Sequence, residues 1–148
     1  MLKFFHHENI VNIKNLLNPV SKEWLENVYI VSELMECDLH QIIMDKQTLT
    51  EETIQYIVFQ LLSAIKYIHS ANVIHRDIKP SNILVNEECD IKLCDFGLSR
   101  VAANIQTNMT MYVATRYYRA IELLLSSKCY TSSIDMWSVG VICAELYL

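Results

Sequence analysis

Between Val73 and Asn86 the chain reads VIHRDIKPSNILVN. Five polar side chains, His75, Arg76, Asp77, Lys79 and Asn82, fall within eight positions, entered from Val73-Ile74 and left into Ile83-Leu84-Val85. Polar groups crowded between apolar flanks in this way point to a loop held rigid by the core and presenting charge to a ligand. The body that holds it is at hand: 52% of the 148 residues are hydrophobic, enough for one globular domain or a large piece of one.

Upstream, Ile10 to Leu17 and Val28 to Leu34 read as two strands joined by a loop carrying Asn18, Pro19, Ser21 and Lys22. After Thr50, the residues Ile54, Ile57, Val58, Leu61, Leu62, Ile65 and Ile68 recur at spacings of three and four, with Glu51 and Glu52 in the first turn. That pattern predicts a helix with a wide buried face and a favourable charge at its N-terminus. Beyond the polar loop, ILVN and DIKLCDF predict two short strands separated by Asn86-Glu87-Glu88. From Gly97 to about Arg119 no period is sustained, which predicts a long functional loop. The segment from Ser132 to Leu148 predicts an apolar helix in which Trp137 and its neighbours are core.

Seventeen acidic against twelve basic residues give a net charge of -5 with no basic run, so no nucleic-acid partner is expected. No stretch of about 18 apolar residues is free of charge, so no membrane partner is expected either. Cys37, Cys89, Cys94, Cys129 and Cys143 contain no C-x-x-C pair, which suits reduced thiols in the cytoplasm or nucleus. His6-His7-Glu8 has no third ligand spaced to complete a metal site and reads as a solvated loop.

Asp77 and Asp95 each end an apolar segment, with Lys79 and Asn82 beside the first. Phosphoryl transfer requires oxygen ligands for magnesium, a carboxylate to orient the attacking hydroxyl, and a cation to balance charge on the moving phosphate. These four side chains supply that set. An isolated H-R-D would be a surface ion pair; H-R-D-x-K-P-x-N with D-F-G starting thirteen residues after the Asn is the spacing of a kinase signature.

HRDIKPSN and DFG therefore resemble the catalytic loop and the magnesium-binding motif of eukaryotic protein kinases, with Lys79 the serine/threonine form. HHENIV, VYIVSELMECDLHQII, YIHSANVIHRD and TMYVATRYYRA resemble the mitogen-activated protein (MAP) kinases across nearly the whole chain. The resemblance implies an α+β, protein-kinase-like but partial fold: residues 1–35 a remnant of the N-lobe sheet and hinge, residues 36–148 the first, mainly helical half of the C-lobe. It implies that Asp77 orients the substrate hydroxyl, Lys79 contacts the transferred phosphate, Asn82 and Asp95 bind Mg2+, and Thr115 hydrogen-bonds the Asp77/Lys79 pair. ATP would lie against Glu33, Leu34 and Met35 of the hinge, with Ser32 as gatekeeper, Asp38 facing the ribose, Leu84 beneath the base and Ser81 in the same site.

Activation would proceed by phosphorylation of Thr110 and Tyr112, the first received by Arg76 and Arg100 and the second by Arg116 and Arg119. Each phosphate adds about -1.5 to -2 charges and so can order a loop by recruiting arginines. The implied partners are proteins with Ser/Thr-Pro sites, an upstream dual-specificity MAP kinase kinase, and phosphatases. The middle residue of T-M-Y is not the family's usual Glu, Pro or Gly, and Ala120-Ile121-Glu122 stands where A-P-E is usual. The resemblance also implies that Asp135 accepts hydrogen bonds from the catalytic-loop backbone, which would satisfy a charge too costly to bury alone.

The only glycines are Gly97 and Gly140, so no G-x-G-x-x-G can be assembled from these residues. Two expectations of different class follow. One is a MAP kinase read incompletely at both ends. The other is a truncated, inactive kinase that serves as a binding module or decoy. The intact Asp77, Lys79, Asn82 and Asp95 favour the first, although the 148 residues by themselves are expected to be inactive and poorly folded. A small-molecule phosphotransferase is disfavoured by Arg76, the K-P-S-N run and the T-x-Y element.

Overall fold

The computed structural model describes residues 5–17, 29–45, 48–102, 116–125 and 131–148. The long helix α2, Glu51–Ser70, is its centre. Thr50 caps it by accepting the Thr53 N–H, and Glu51 and Glu52 face the positive end of the helix dipole. Ile57, Leu61, Ile65 and Ile68 lie on one stripe and are wholly buried, each stabilising by about 1.5–3 kcal/mol relative to exposure.

Against that stripe pack a three-stranded antiparallel sheet and the last helix. The sheet, in the order β3 (Cys37–Asp38), β5 (Ile83–Val85), β6 (Ile91–Leu93), contributes Ile83, Val85, Ile91 and Leu93. Helix α4, Ser133–Leu146, contributes Val139, Ile142 and Leu146. Two further antiparallel pairs complete the strands. A ribbon joins β1 (Ile13–Leu17) to β2 (Tyr29–Ser32), and β4 (Val73–Ile74) pairs with β7 (Arg100–Val101). Short helices α1 (Leu39–Met44) and α3 (Ile121–Leu124) follow β3 and Ala120. This is an α+β architecture, as the sequence implies.

One polar side chain sits inside the apolar stripe of α2. Gln60 Oε1 accepts from Asn9 Nδ2 (2.8 Å) and Ile91 N (3.1 Å), and its Nε2 donates to the Cys89 carbonyl (3.0 Å). A buried amide is tolerated when its donors and acceptor are matched, and here it joins residues 9–11 to β6. Ile10 also bridges Leu93 in parallel, and Leu93 exchanges backbone hydrogen bonds with Asn9 and Val11.

Several expectations are corrected. The first strand starts at Ile13, because Ile10 and Val11 pair with β6 instead. DIKLCDF is strand only over Ile91–Leu93, and Phe96–Leu98 forms a 3-10 turn. The loop after Gly97 is not wholly irregular, since Arg100–Val101 pairs with β4. Trp137 is not core: it is 50% exposed and Met136 45%. An apolar helix buries only the faces that have neighbours, and α4 directs Ile134, Asp135, Ser138, Val139 and Ile142 inward. Leu62, which its spacing places on the buried face of α2, is also 38% exposed, and Phe59 is 69% exposed.

Candidate active site

The loop between β4 and β5 is anchored from below. His75 is fully buried. Its Nε2–H donates to the Cys94 carbonyl at 3.0 Å, and its Nδ1 accepts the Asp77 N–H at 3.3 Å, a pattern that fixes one neutral tautomer. Burial lowers its pKa, outweighing the opposite pull of Asp135, Asp77 and Asp95. The ring stands edge-on to Phe96, centroids 4.7 Å apart, and Phe96 in turn meets Phe5 at 5.4 Å.

Arg76 has φ 74°, a left-handed backbone that is strained for a residue bearing a Cβ. It is held there by Asp135 of α4, whose Oδ1 accepts the Arg76 N–H and whose Oδ2 accepts the His75 N–H, both at 2.9 Å. Asp135 thus takes the backbone bonds expected of it.

Asp77, its side chain only 12% exposed, then has its partners in place. Lys79 Nζ is 2.9 Å from Asp77 Oδ2, and Asn82 Nδ2 donates to the same oxygen (3.1 Å) and to the Asp77 carbonyl (2.8 Å). Pro80 opens the 3-10 turn that carries Ser81 and Asn82. Ser81 is exposed and Asn82 buried. Asp95 is brought close through the backbone, because Cys94 N donates to the Asn82 carbonyl at 2.9 Å. Asp95 itself is left-handed (φ 56°) and accepts the Gly97 N–H. A Cβ on Gly97 would lie 3.1 Å from Asp95 Oδ1, so glycine permits this close turn.

Of the other predicted residues, some are described and others are not. Asp38 caps α1 by accepting the Gln41 N–H at 2.9 Å. It lies abreast of Leu84 and Lys92 in the register of β3, β5 and β6. Leu34 is 94% exposed, Met35 half-buried, and the Glu33 carboxylate is occupied by Lys92 and by Asn12 N–H. Arg76 and Arg119 line one narrow cleft with Asp77, Lys79 and Tyr118. Arg100 is exposed and donates to the Ser99 carbonyl, and Arg116 is exposed. Thr110, Tyr112 and Thr115 lie outside the described residues, so the pairing of Arg76, Arg100, Arg116 and Arg119 with Thr110 and Tyr112 lies outside them too.

Sequence reasoning does not single out His69, whose Nε2 is 2.8 Å from Asp135 Oδ2, or Lys92. For Lys92 a signal was present: a lone charge between two apolar strand residues must leave the face opposite the core.

Among the described residues no group of three or more His, Cys, Asp and Glu could hold a metal. Asn82 and Asp95 nevertheless fit Mg2+ in chemistry. Asn82 spends its N–H on Asp77, which leaves its carbonyl oxygen as the ligand, and Asp95 adds carboxylate oxygens. Magnesium commonly takes one or two such protein ligands, with phosphate and water completing the shell.

The protein kinase domain model matches residues 1–148. The chain belongs to the protein kinase family. It is 58% identical over 147 residues to "Extracellular signal-regulated kinase 1" of Dictyostelium discoideum, an alignment covering 99% of this chain and 28% of that kinase. It is 54% identical to "Mitogen-activated protein kinase homolog NTF6" of Nicotiana tabacum and 55% to "Mitogen-activated protein kinase 5" of Arabidopsis thaliana, in each case over 99% of the chain and 39% of the relative. The chain thus spans well under half the length of these kinases.

Proposed function

We propose that the protein is a serine/threonine kinase of MAP kinase type that transfers the γ-phosphate of ATP to Ser or Thr followed by Pro. The observation that carries this reading is the Asp77 carboxylate, gripped by Lys79 and Asn82 while the Asn82 carbonyl takes the amide next to Asp95. Asp77 orients the substrate hydroxyl and accepts its proton; Lys79 leaves Asp77 to steady charge on the phosphate. Asn82 and Asp95 hold Mg2+, which when bound neutralises phosphate charge. Glu33 and Met35 offer backbone groups to adenine, Asp38 and Ser81 flank the sugar and phosphates, and Leu84 lies under the base. Thr115 steadies the Asp77/Lys79 pair.

In the same reading, residues 1–35 are the upper-lobe remnant with the hinge and 36–148 an incomplete lower lobe that includes the catalytic loop and activation segment. Phosphorylation of Thr110 and Tyr112 by an upstream dual-specificity kinase switches the protein on, with Arg76, Arg100, Arg116 and Arg119 receiving the phosphates, and phosphatases reverse it. The four described cysteines are free thiols, which supports work in the cytoplasm or nucleus.

A second reading, a binding module that holds these residues without turnover, predicts nucleotide binding without transfer. One experiment separates them. Saturating Mg-ATP, at about 100 times its dissociation constant, should stabilise a competent protein by about 2.7 kcal/mol. Transfer to a Ser-Pro peptide, lost in Asp77→Asn, establishes the kinase. A thermal shift without transfer supports the module, and neither response overturns nucleotide use by this chain.

A further inference from the structure

Lys92 occupies the middle of β6 between Ile91 and Leu93, both fully buried, so its side chain leaves the sheet on the face opposite the core. That face is shared. Asp38, Leu84 and Lys92 are register partners across β3, β5 and β6, so the side chains placed around the sugar and base stand in line with this lysine. Its Nζ donates to the Glu8 carbonyl at 2.8 Å and lies 3.3 Å from Glu33 Oε2. The second Glu33 oxygen accepts the Asn12 N–H at 2.9 Å.

One ammonium and one carboxylate therefore join three stretches of chain: residues 8–12, the segment starting at Glu33, and β6. Both side chains are only 22% exposed, so solvent screens the pair in part, and each partner makes a second, charge-assisted bond. A lone surface ion pair would be worth little, but this one is fixed at both ends by backbone groups.

Two of the three stretches, β6 and the Glu33 segment, are the two ends of the proposed nucleotide site. β6 leads directly into Cys94 and Asp95, and Glu33 opens the segment facing adenine. We infer that Lys92 is a positioning residue that sets the Glu33–Met35 backbone at a fixed distance from the strand bearing Asp95, so that base and phosphate ends are held to one length of ligand. The inference rests on the nucleotide reading given above.

The test uses a fluorescent N-methylanthraniloyl-ADP titration with Mg2+, together with amide hydrogen exchange at residues 33–35 without nucleotide. Lys92→Met should weaken nucleotide binding about three- to tenfold, the scale of a partly screened charged hydrogen bond, and speed exchange at 33–35 with little change in global melting. Lys92→Arg, which can still span both oxygens, should restore most of both. Raising salt to about 0.5 M should shrink the difference between wild type and Lys92→Met, since only the wild type has an ion pair to screen. Unchanged affinity and unchanged exchange in Lys92→Met overturn the inference. If the wild type takes up no nucleotide, the nucleotide reading fails on its own account, and exchange still decides the clasp: faster sustains it, unchanged overturns it. Should Lys92→Met fail to fold, Glu33→Gln removes the same ion pair and is judged by the same two measurements.

Discussion

The carboxylate of Asp135 lies 2.8 Å from Nε2 of His69, and the same oxygen accepts the backbone N–H of His75. A carboxylate only accepts, so His69 Nε2 carries the proton. With the Arg76 N–H on the other oxygen, three donors converge on a side chain that is 1% exposed. This is how α4 holds the backbone just ahead of Asp77 in its strained turn. Asp135→Ala should cost about 3–5 kcal/mol, since buried donors lose their partner. His69→Gln should cost less, because an amide N–H can replace the imidazole donor. Urea unfolding measures both, and a loss below about 1 kcal/mol for Asp135→Ala would contradict the anchoring role.

Stability should fall on mild acidification because of His75. Burial holds its folded pKa below the ordinary value, so between the two pKa values the unfolded chain binds the extra proton. Stability then rises with pH in that window. The contribution is fully present above about pH 6.5 and is lost as pH falls from there toward the lowered folded value. Denaturation midpoints followed from about pH 7.5 to 5.5 should decline. His75→Gln, though less stable at neutral pH, should show a shallower decline. An unchanged slope would count against the assignment.

How much of this was legible in the sequence depended on whether the signal was local. Helix α2, its Thr50 cap and strand β5 follow from spacing within a few residues, and the polar loop announces Asp77, Lys79 and Asn82 by its apolar flanks. The pairing of Ile10 with Leu93, the Gln60 amide that satisfies both segments, and the Lys92 to Glu33 ion pair join residues tens of positions apart. Nothing local encodes them. Trp137 shows the opposite limit: α4 carries apolar residues on every side, and only the neighbours actually present decide which side is buried.

That exposed side of α4 should tolerate change. A Cβ on Gly140 meets nothing within 4 Å, and its φ lies outside the left-handed region. Gly140→Ala should therefore stabilise the chain by about 0.5–1 kcal/mol, by removing backbone freedom from the unfolded state. Trp137→Gln should shift stability by less than about 1 kcal/mol, where a core Trp→Ala would cost about 3–5 kcal/mol. Thermal melts of the two variants decide this directly. A large loss from either would mean that this face is covered in solution.

Cys94 should resist alkylation although it adjoins the site. It follows β6, its backbone serves both Asn82 and His75, and burial with the nearby Asp95 charge pushes its thiol up to about 11, with Lys79 pulling weakly the other way. The thiolate is the reactive form. At pH 8 its fraction falls about a hundredfold below that of a thiol titrating at 9.0, the ordinary value from which Cys94 is raised. Timed iodoacetamide labelling with peptide mass analysis should show Cys94 modified on the order of a hundredfold more slowly in the folded chain than in denaturant. The rate should climb about tenfold per pH unit through pH 9, because each unit multiplies the small thiolate fraction by ten. Labelling at the denatured rate would show that neither burial nor Asp95 suppresses the thiolate, and that the turn leading into Asp95 opens freely.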